Sequence, residues 1–266
     1  MQQLTVNHRT TYRYRRPVKF GEHRMMFRPR DSHDLRLQSA VLKSTPNAEV
    51  RWLHDVFNNS VGIATFEEPS NTLALESIIV VDRYPFAGQE FPIEPFARTI
   101  PFSYPAREVP DLGRTIERHY KDPTRKITDW TRRFLSQTSG TTDTEEFLLA
   151  ITHAIRDEFK YSARYEPGVQ SPVEMLENGT GTCRDYALFM MEAARSVGLA
   201  ARFVSGYLYD PALENRPAGN PDPGPSEISG AGSTHAWAQI YLPGAGWVEF
   251  DPTNGSYGGH NLVPIA

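Results

Sequence analysis

The chain has 266 residues, of which 23% are charged and 39% belong to the hydrophobic set; this is ordinary for a globular protein and suffices for one large domain or two modest ones. The formal net charge is −4, so the chain lacks the basic character of nucleic-acid-binding proteins, and no apolar run approaches the roughly 18 residues of a membrane span. We therefore expect neither nucleic acid nor a membrane as a partner, and the start of the chain, which lacks an apolar stretch, favours a cytoplasmic location.

Residues 1–85 have the patterns of β-strands. Apolar and polar residues alternate, or apolar residues cluster, in five short stretches separated by turn chemistry: 4–14, 35–41, 50–53, 63–66 and 73–81. The arginines between residues 9 and 30 are spaced among these patterns and are typical of the solvated faces of strands. The sequence predicts a β-sandwich-like N-terminal domain, whose surface is a candidate docking site for a protein partner.

Residues 86–141 are predicted to form a linker and a helical segment. The stretch 85–111 contains six prolines, which exclude long regular elements. Apolar residues at helical spacings begin near Asp111 and return between Trp130 and Leu135.

Residues 142–266 alternate between helical and strand patterns. Helices are predicted after Asp143, after Ser171 and from Cys183 to the residue before Gly198, because N-cap residues, a proline at the first helical position and a terminal glycine mark their ends. Three strands follow, at 201–208, 235–242 and 247–250. The long connection 211–233 is predicted to be a mobile loop, either a lid or a plain disordered insertion.

The single cysteine, Cys183, opens one of these helices and follows Gly179 and Gly181. One cysteine cannot form an internal disulfide, so this residue is either a buried small hydrophobe or a working thiol. A helix N-terminus carries unpaired N–H groups and partial positive charge, which favour a thiolate and can bind an oxyanion. The glycines would let the backbone approach a substrate closely. On these features alone, both interpretations of the cysteine stay open.

A nucleophilic cysteine needs a base, and the base needs an acceptor that orients it. His235 begins a strand after the long loop, and Asp251 ends the next strand of the same predicted hairpin. If Gly244 and Ala245 centre the turn, a strict register puts Asp251 opposite Ala238. A bulge or strand twist would then have to bring the carboxylate nearer His235.

Two segments, GTGTCRDYALFMMEAARSVGLAARFVSGYL and HAWAQIYLPGAGWVEFDPTNG, closely resemble the core of the bacterial transglutaminase-like superfamily, which includes proteins described as cysteine proteases. The opening HRTTYRYRRPVKFGEHRMMFRPR resembles the β-rich domain that bacterial members carry before this core. The resemblance implies an α+β fold, with a papain-like transglutaminase core of helices packed on an antiparallel sheet. It also implies that Cys183 is the nucleophile, His235 the base and Asp251 the orienting residue.

Further candidates are aromatic or acidic. In the family the segment that contains Tyr161 lies near the cleft, so Tyr161 is a candidate for substrate binding, with structural packing as the alternative. Trp237 and Trp247 are candidates for an aromatic wall, with core packing as the default. Asp185 is interpreted as structural, paired with a neighbouring arginine such as Arg184 or Arg202. The other histidines show no ligand spacing, so no metal or other cofactor is expected.

The sequence leaves several functions open. The favoured one is hydrolysis of an amide bond in a peptide or protein substrate through a thioester. A transglutaminase that uses an amine acceptor would need the same residues. A third hypothesis is a non-catalytic module that binds a protein partner through its N-terminal β domain.

Overall fold

The computed structural model describes residues 1–84, 91–136, 140–164, 168–210 and 234–266. The chain divides into two compact units, Met1–Ala87 with Pro264–Ala266, and Gly88–Val263. The connection 211–233, predicted to be a lid or an insertion, lies outside the described residues. In the part of the chain that is described, no helix has the length and apolar character needed to cross a bilayer.

The first unit is built from six strands: β1 (Gln2–Val18), β2 (His23–Arg28), β3 (Leu35–Thr45), β4 (Glu49–His54), β5 (Ser60–Thr65) and β6 (Ser70–Arg83). They form two three-stranded antiparallel sheets, in the orders β1-β6-β3 and β2-β5-β4. Met25 and Ala64 of one sheet pack against Leu73 and Leu75 of the other. The period-two patterns therefore predicted this β-rich unit correctly, although they missed β2.

The second unit mixes helices and strands. Its elements before the main sheet are β7 (Thr99–Ile100), α1 (Val109–Leu112), α2 (Lys126–Arg132), β8 (Thr142–Asp143), α3 (Thr144–Glu158), β9 (Lys160–Tyr161), α4 (Pro172–Asn178), β10 (Thr180–Gly181) and α5 (Cys183–Ser196). Short 3-10 helices cover Pro95–Ala97 and Gly113–Thr115. The main sheet consists of β11 (Ala201–Leu208), β12 (Thr234–Leu242), β13 (Gly246–Asp251), β14 (Ser256–Tyr257) and β15 (Leu262–Pro264), in the order β14-β13-β12-β11-β15.

The caps predicted from the sequence are present. The Asp143 carboxylate accepts a hydrogen bond from the Glu146 backbone N–H at 2.9 Å, and this contact begins α3. Ser171 and Glu174 form a reciprocal capping box at the start of α4. Gly198 has a φ of +88°, the left-handed conformation that ends α5.

Helix α5 is the centre of the second unit. It packs against β11 and β12 and against α2, α3 and α4. Phe189 on this helix lies in a buried cluster with Trp130, Phe147 and Ile240. The proline-rich segment contributes to the same cluster through the buried Ile93, Ala97 and Ile100. The α+β arrangement of helices on an antiparallel sheet therefore matches the expected fold class, and it holds the first residue of α5 in place.

Candidate active site

Cys183 is the first residue of α5 and is partly exposed. The chain reaches it through β10, which pairs in parallel with β9 so that Gly181 lies opposite Tyr161. The Ser162 backbone N–H donates to the Gly181 carbonyl at 2.9 Å and extends this pairing. Because the first N–H groups of a helix have no intrahelical acceptor, those beside the sulfur are candidates to bind an oxyanion.

The two glycines before Cys183 have structural roles. Gly179 has a φ of +66° and forms the left-handed cap of α4. A Cβ on Gly181 would lie 3.1 Å from both the Asp185 Cβ and the Tyr186 ring. At Gly181 the absent Cβ therefore leaves room for the first turn of α5, and close approach of a substrate to these glycines stays a prediction.

The hairpin of β12 and β13 brings His235 and Asp251 together by a register that differs from the expected one. Leu242 pairs with Gly246, so the turn has three residues, and Ala238 pairs with Phe250. Continuing this register by one position puts Asp251 opposite Trp237. The expected pairing of Asp251 with Ala238 was wrong by one residue, and that slip would have turned the carboxylate to the other face of the sheet.

In the observed register His235 and Asp251 are diagonal neighbours on one face, which is within reach of their side chains without a bulge. His235 Nε2 and Asp251 Oδ2 lie 2.8 Å apart, and both side chains are fully buried.

Two further donors hold the Asp251 carboxylate. The Thr253 backbone N–H donates to Oδ1 at 3.0 Å, and Asn254 Nδ2 donates to Oδ2 at 2.8 Å. The sequence interpretation missed Asn254. The signal was available in the segment Asp251-Pro-Thr-Asn254, because Asp and Asn side chains in turns commonly bond to groups two or three residues away.

The protonation of His235 follows from these contacts. Burial alone lowers its pKa, but the hydrogen bonds and negative charges of Asp251 and Cys183 outweigh burial and raise the pKa to about 9. The other ring nitrogen, Nδ1, is buried and has no hydrogen-bond partner at ordinary distance among the described residues. Since Nε2 is bonded to Asp251, Nδ1 is the nitrogen available to the Cys183 sulfur, which lies near enough to act on the ring.

Tyr161 lies beside the thiol, as the resemblance implied. Its ring meets the Tyr186 ring edge-on at 6.2 Å between centroids. Burial raises the pKa of Tyr161, and the charge and hydrogen bonding of Cys183 raise it further. Tyr161 remains 39% exposed, so the part of the site beside the thiol is open to solvent.

The two tryptophans do not form an exposed wall. Trp237 is fully buried, stacks on the His235 ring at 6.1 Å and packs against Val204 and Leu208. The expectation that Trp237 binds substrate is therefore corrected, because its ring supports His235 from behind. Trp247 lies under the Arg202 guanidinium, 4.2 Å from the ring centroid.

Asp185 braces the start of α5. Its buried carboxylate accepts hydrogen bonds from the Thr182 backbone N–H at 2.9 Å and the Gln170 backbone N–H at 2.7 Å. Arg164 forms its ion pair at 3.1 Å, so the expected structural role holds with a different arginine. Burial alone raises the pKa of Asp185, but the hydrogen bonds from Thr182 and Gln170 lower it overall.

Within the described ranges, no group of three His, Cys, Asp or Glu side chains has the geometry to hold a metal ion. The site brings together a thiol, an imidazole and a buried carboxylate. Cys183 lies beside His235, and His235 is bonded to Asp251.

Comparison with known proteins agrees with the fold. Residues 129–252 match the transglutaminase-like superfamily, and residues 4–82 match the bacterial transglutaminase-like N-terminal region. A proposed cysteine protease from Cytophaga hutchinsonii has a similar structure, with a TM-score of 0.70 at 17% identity over 99% of this chain and 80% of that one. At this identity the likeness concerns the fold alone.

Two uncharacterized bacterial proteins are similar in sequence. Rv2569c of Mycobacterium tuberculosis is 29% identical over 258 residues, which cover 94% of this chain and 78% of that protein. YebA of Bacillus subtilis is 35% identical over 81 residues, or 30% of this chain and 10% of that protein. The chain thus carries a transglutaminase-like core preceded by a bacterial transglutaminase-like N-terminal region.

Proposed function

We propose that the protein is a cysteine-dependent enzyme that acts on amide bonds of peptides or proteins through a thioester, with water as the usual acyl acceptor. The observation that carries this proposal is the chain of contacts at one point of the fold. Cys183 begins a helix beside His235, and His235 is bonded at 2.8 Å to the buried Asp251.

The proposed first step is attack of the Cys183 sulfur on the carbonyl carbon of the amide. A protonated imidazole next to the sulfur favours the thiolate, and the pKa of about 9 keeps His235 protonated at neutral pH. As the Sγ–C bond forms and the C–N bond breaks, His235 gives its proton to the leaving amine. Asp251 keeps the ring in the orientation that aims Nδ1 at the sulfur.

The proposed second step resolves the thioester. His235, now neutral, takes a proton from the incoming water, whose oxygen attacks the acyl carbon; the C–Sγ bond breaks, which releases the carboxylic acid and restores the thiolate beside the protonated imidazole. The N–H groups in the first turn of α5 are candidates to stabilise the oxyanion in both steps. The Tyr161 hydroxyl, which lies beside the thiol, is a candidate to donate to the same oxygen.

A panel of peptide amides, each incubated with and without a primary amine, tests this proposal by mass spectrometry of the products. Wild type should release the carboxylic acid, and Cys183→Ala should abolish turnover. Formation of the amine adduct as the main product would support a transglutaminase instead. Tight binding of a protein partner that survives Cys183→Ala, without turnover of any amide, would support a binding module.

A further inference from the structure

The residue after the proposed nucleophile, Arg184, has an unusual environment for an arginine in this fold. It is partly buried in the first turn of α5, next to Cys183. Among the described residues it has no hydrogen bond, ion pair or ring contact. The other described arginines of the second unit that are at least partly buried have acceptors: Arg118 with Asp122 and Glu192, Arg164 with Asp185, Arg195 with Glu192, and Arg202 with Gln239.

A partly buried guanidinium with no acceptor among the described residues keeps its donors available to a bound anion. The position of the charge is also informative. The positive charge of Arg184 lowers the pKa of Tyr161, although burial and Cys183 together raise that pKa by more. Tyr161 in turn lies beside the Cys183 thiol, and Arg184 follows Cys183 directly in the first turn of α5.

We propose that Arg184 is a specificity-determining residue that binds a carboxylate of the substrate beside the scissile amide. This inference rests on the proposed function, because it assigns the substrate class of the same site. The carboxylate is either an acidic side chain next to the scissile bond or the free carboxyl end of a short peptide. Guanidinium groups bind carboxylates with two parallel hydrogen bonds, which gives geometric as well as electrostatic selection.

The direct test compares two alkylating probes, the anionic iodoacetate and the neutral iodoacetamide. The chain has one cysteine, so intact-mass measurement follows the reaction at Cys183 alone. The informative quantity is the second-order rate constant for iodoacetate divided by that for iodoacetamide, because any change in the thiolate population affects both rate constants equally. Arg184→Gln should lower this ratio by about fivefold or more at low ionic strength, as expected for loss of a nearby unit charge.

Two variants and one condition sharpen the result. Arg184→Lys keeps the charge and should keep most of the preference for iodoacetate. Arg114→Gln removes an exposed arginine that pairs with Glu117 and should leave the ratio unchanged. In 1 M salt the wild-type ratio should fall toward that of Arg184→Gln, because screening then acts over about 3 Å. An unchanged ratio in Arg184→Gln, or an equal fall in Arg114→Gln, would overturn the proposal.

Peptides separate the two sources of the carboxylate. One arm compares Glu with Gln on either side of the scissile amide, and the other compares a free carboxyl end with a carboxamide end. The acid should be preferred in kcat/KM in one arm, and Arg184→Gln should abolish that preference. Turnover of the peptides with no preference for the acid in either arm would sink the proposed substrate class. A slow reaction of wild-type Cys183 with iodoacetamide would count against the proposed function itself.

Discussion

At the scale of single residues, the site is defined by the hydrogen bonds that the Asp251 carboxylate accepts. It accepts from His235, from the Thr253 backbone and from Asn254, and it is fully buried. The sequence and its family resemblance proposed His235 and Asp251 as partners of Cys183, and the structure brings His235 and Asp251 within 2.8 Å of each other. They did not predict Asn254 or the buried position of Trp237, because both depend on how a turn and a strand face pack in three dimensions.

The raised pKa of His235 leads to a prediction for Asp251→Asn. The neutral amide removes the charge that raises the pKa, while burial continues to lower it. We expect the imidazole of His235 to titrate near 9 in wild type and markedly lower in the variant, as measured by NMR of the ring nitrogens. Asp129→Asn, at an exposed pair with Arg125, should not change it.

The same shift has a consequence for stability. Because the folded-state pKa of His235 is raised from 6.5 to about 9, the pair with Asp251 stabilises the fold fully below about pH 6.5. That contribution is lost as the pH rises through 9.

For the titration measured by NMR, equal pKa values of His235 in Asp251→Asn and in wild type would show that the carboxylate does not raise the pKa of His235.

At the scale of elements, local signals located the ends of helices better than they located strand pairing. Asp143, Ser171 and Gly198 act through contacts with their own chain neighbours, so the sequence is sufficient to read them. The pairing of β12 with β13 depended on whether the turn has two or three residues, and proline and glycine suit both. Strand β2 escaped prediction because its apolar residues, Met25, Met26 and Phe27, do not alternate.

Gly181 gives a prediction at this scale. A Cβ there would press on Asp185 and Tyr186 at 3.1 Å, so Gly181→Ala should lower the free energy of unfolding by about 1–3 kcal/mol, as overpacking does. It should also slow alkylation of Cys183, because the first turn of α5 must shift. Gly21→Ala is the matched control, since a Cβ at Gly21 meets nothing within 4 Å. Equal unfolding midpoints for the two variants in urea would contradict this account.

At the scale of the whole molecule, the order of a β-rich unit followed by a helical and β unit was predictable from periodicity. The contribution of the proline-rich segment to the second core was not. Ile93, Ala97 and Ile100 have the spacing of one helix face, but the prolines around them exclude a long helix, and their burial depends on contacts with residues far along the chain. The arrangement of the core was predicted from the family resemblance, because neither spacing nor composition determines how α5 packs against the sheet.

We propose that this fold activates Cys183 as a nucleophile. This proposal is tested most directly by the rate of Cys183 alkylation with iodoacetamide across pH, in wild type and in His235→Gln, beside a small reference thiol. We predict that wild type reacts faster than the reference thiol at pH 7 and that His235→Gln loses this advantage. A wild-type rate equal to that of the reference thiol, with the same pH dependence, would contradict the claim.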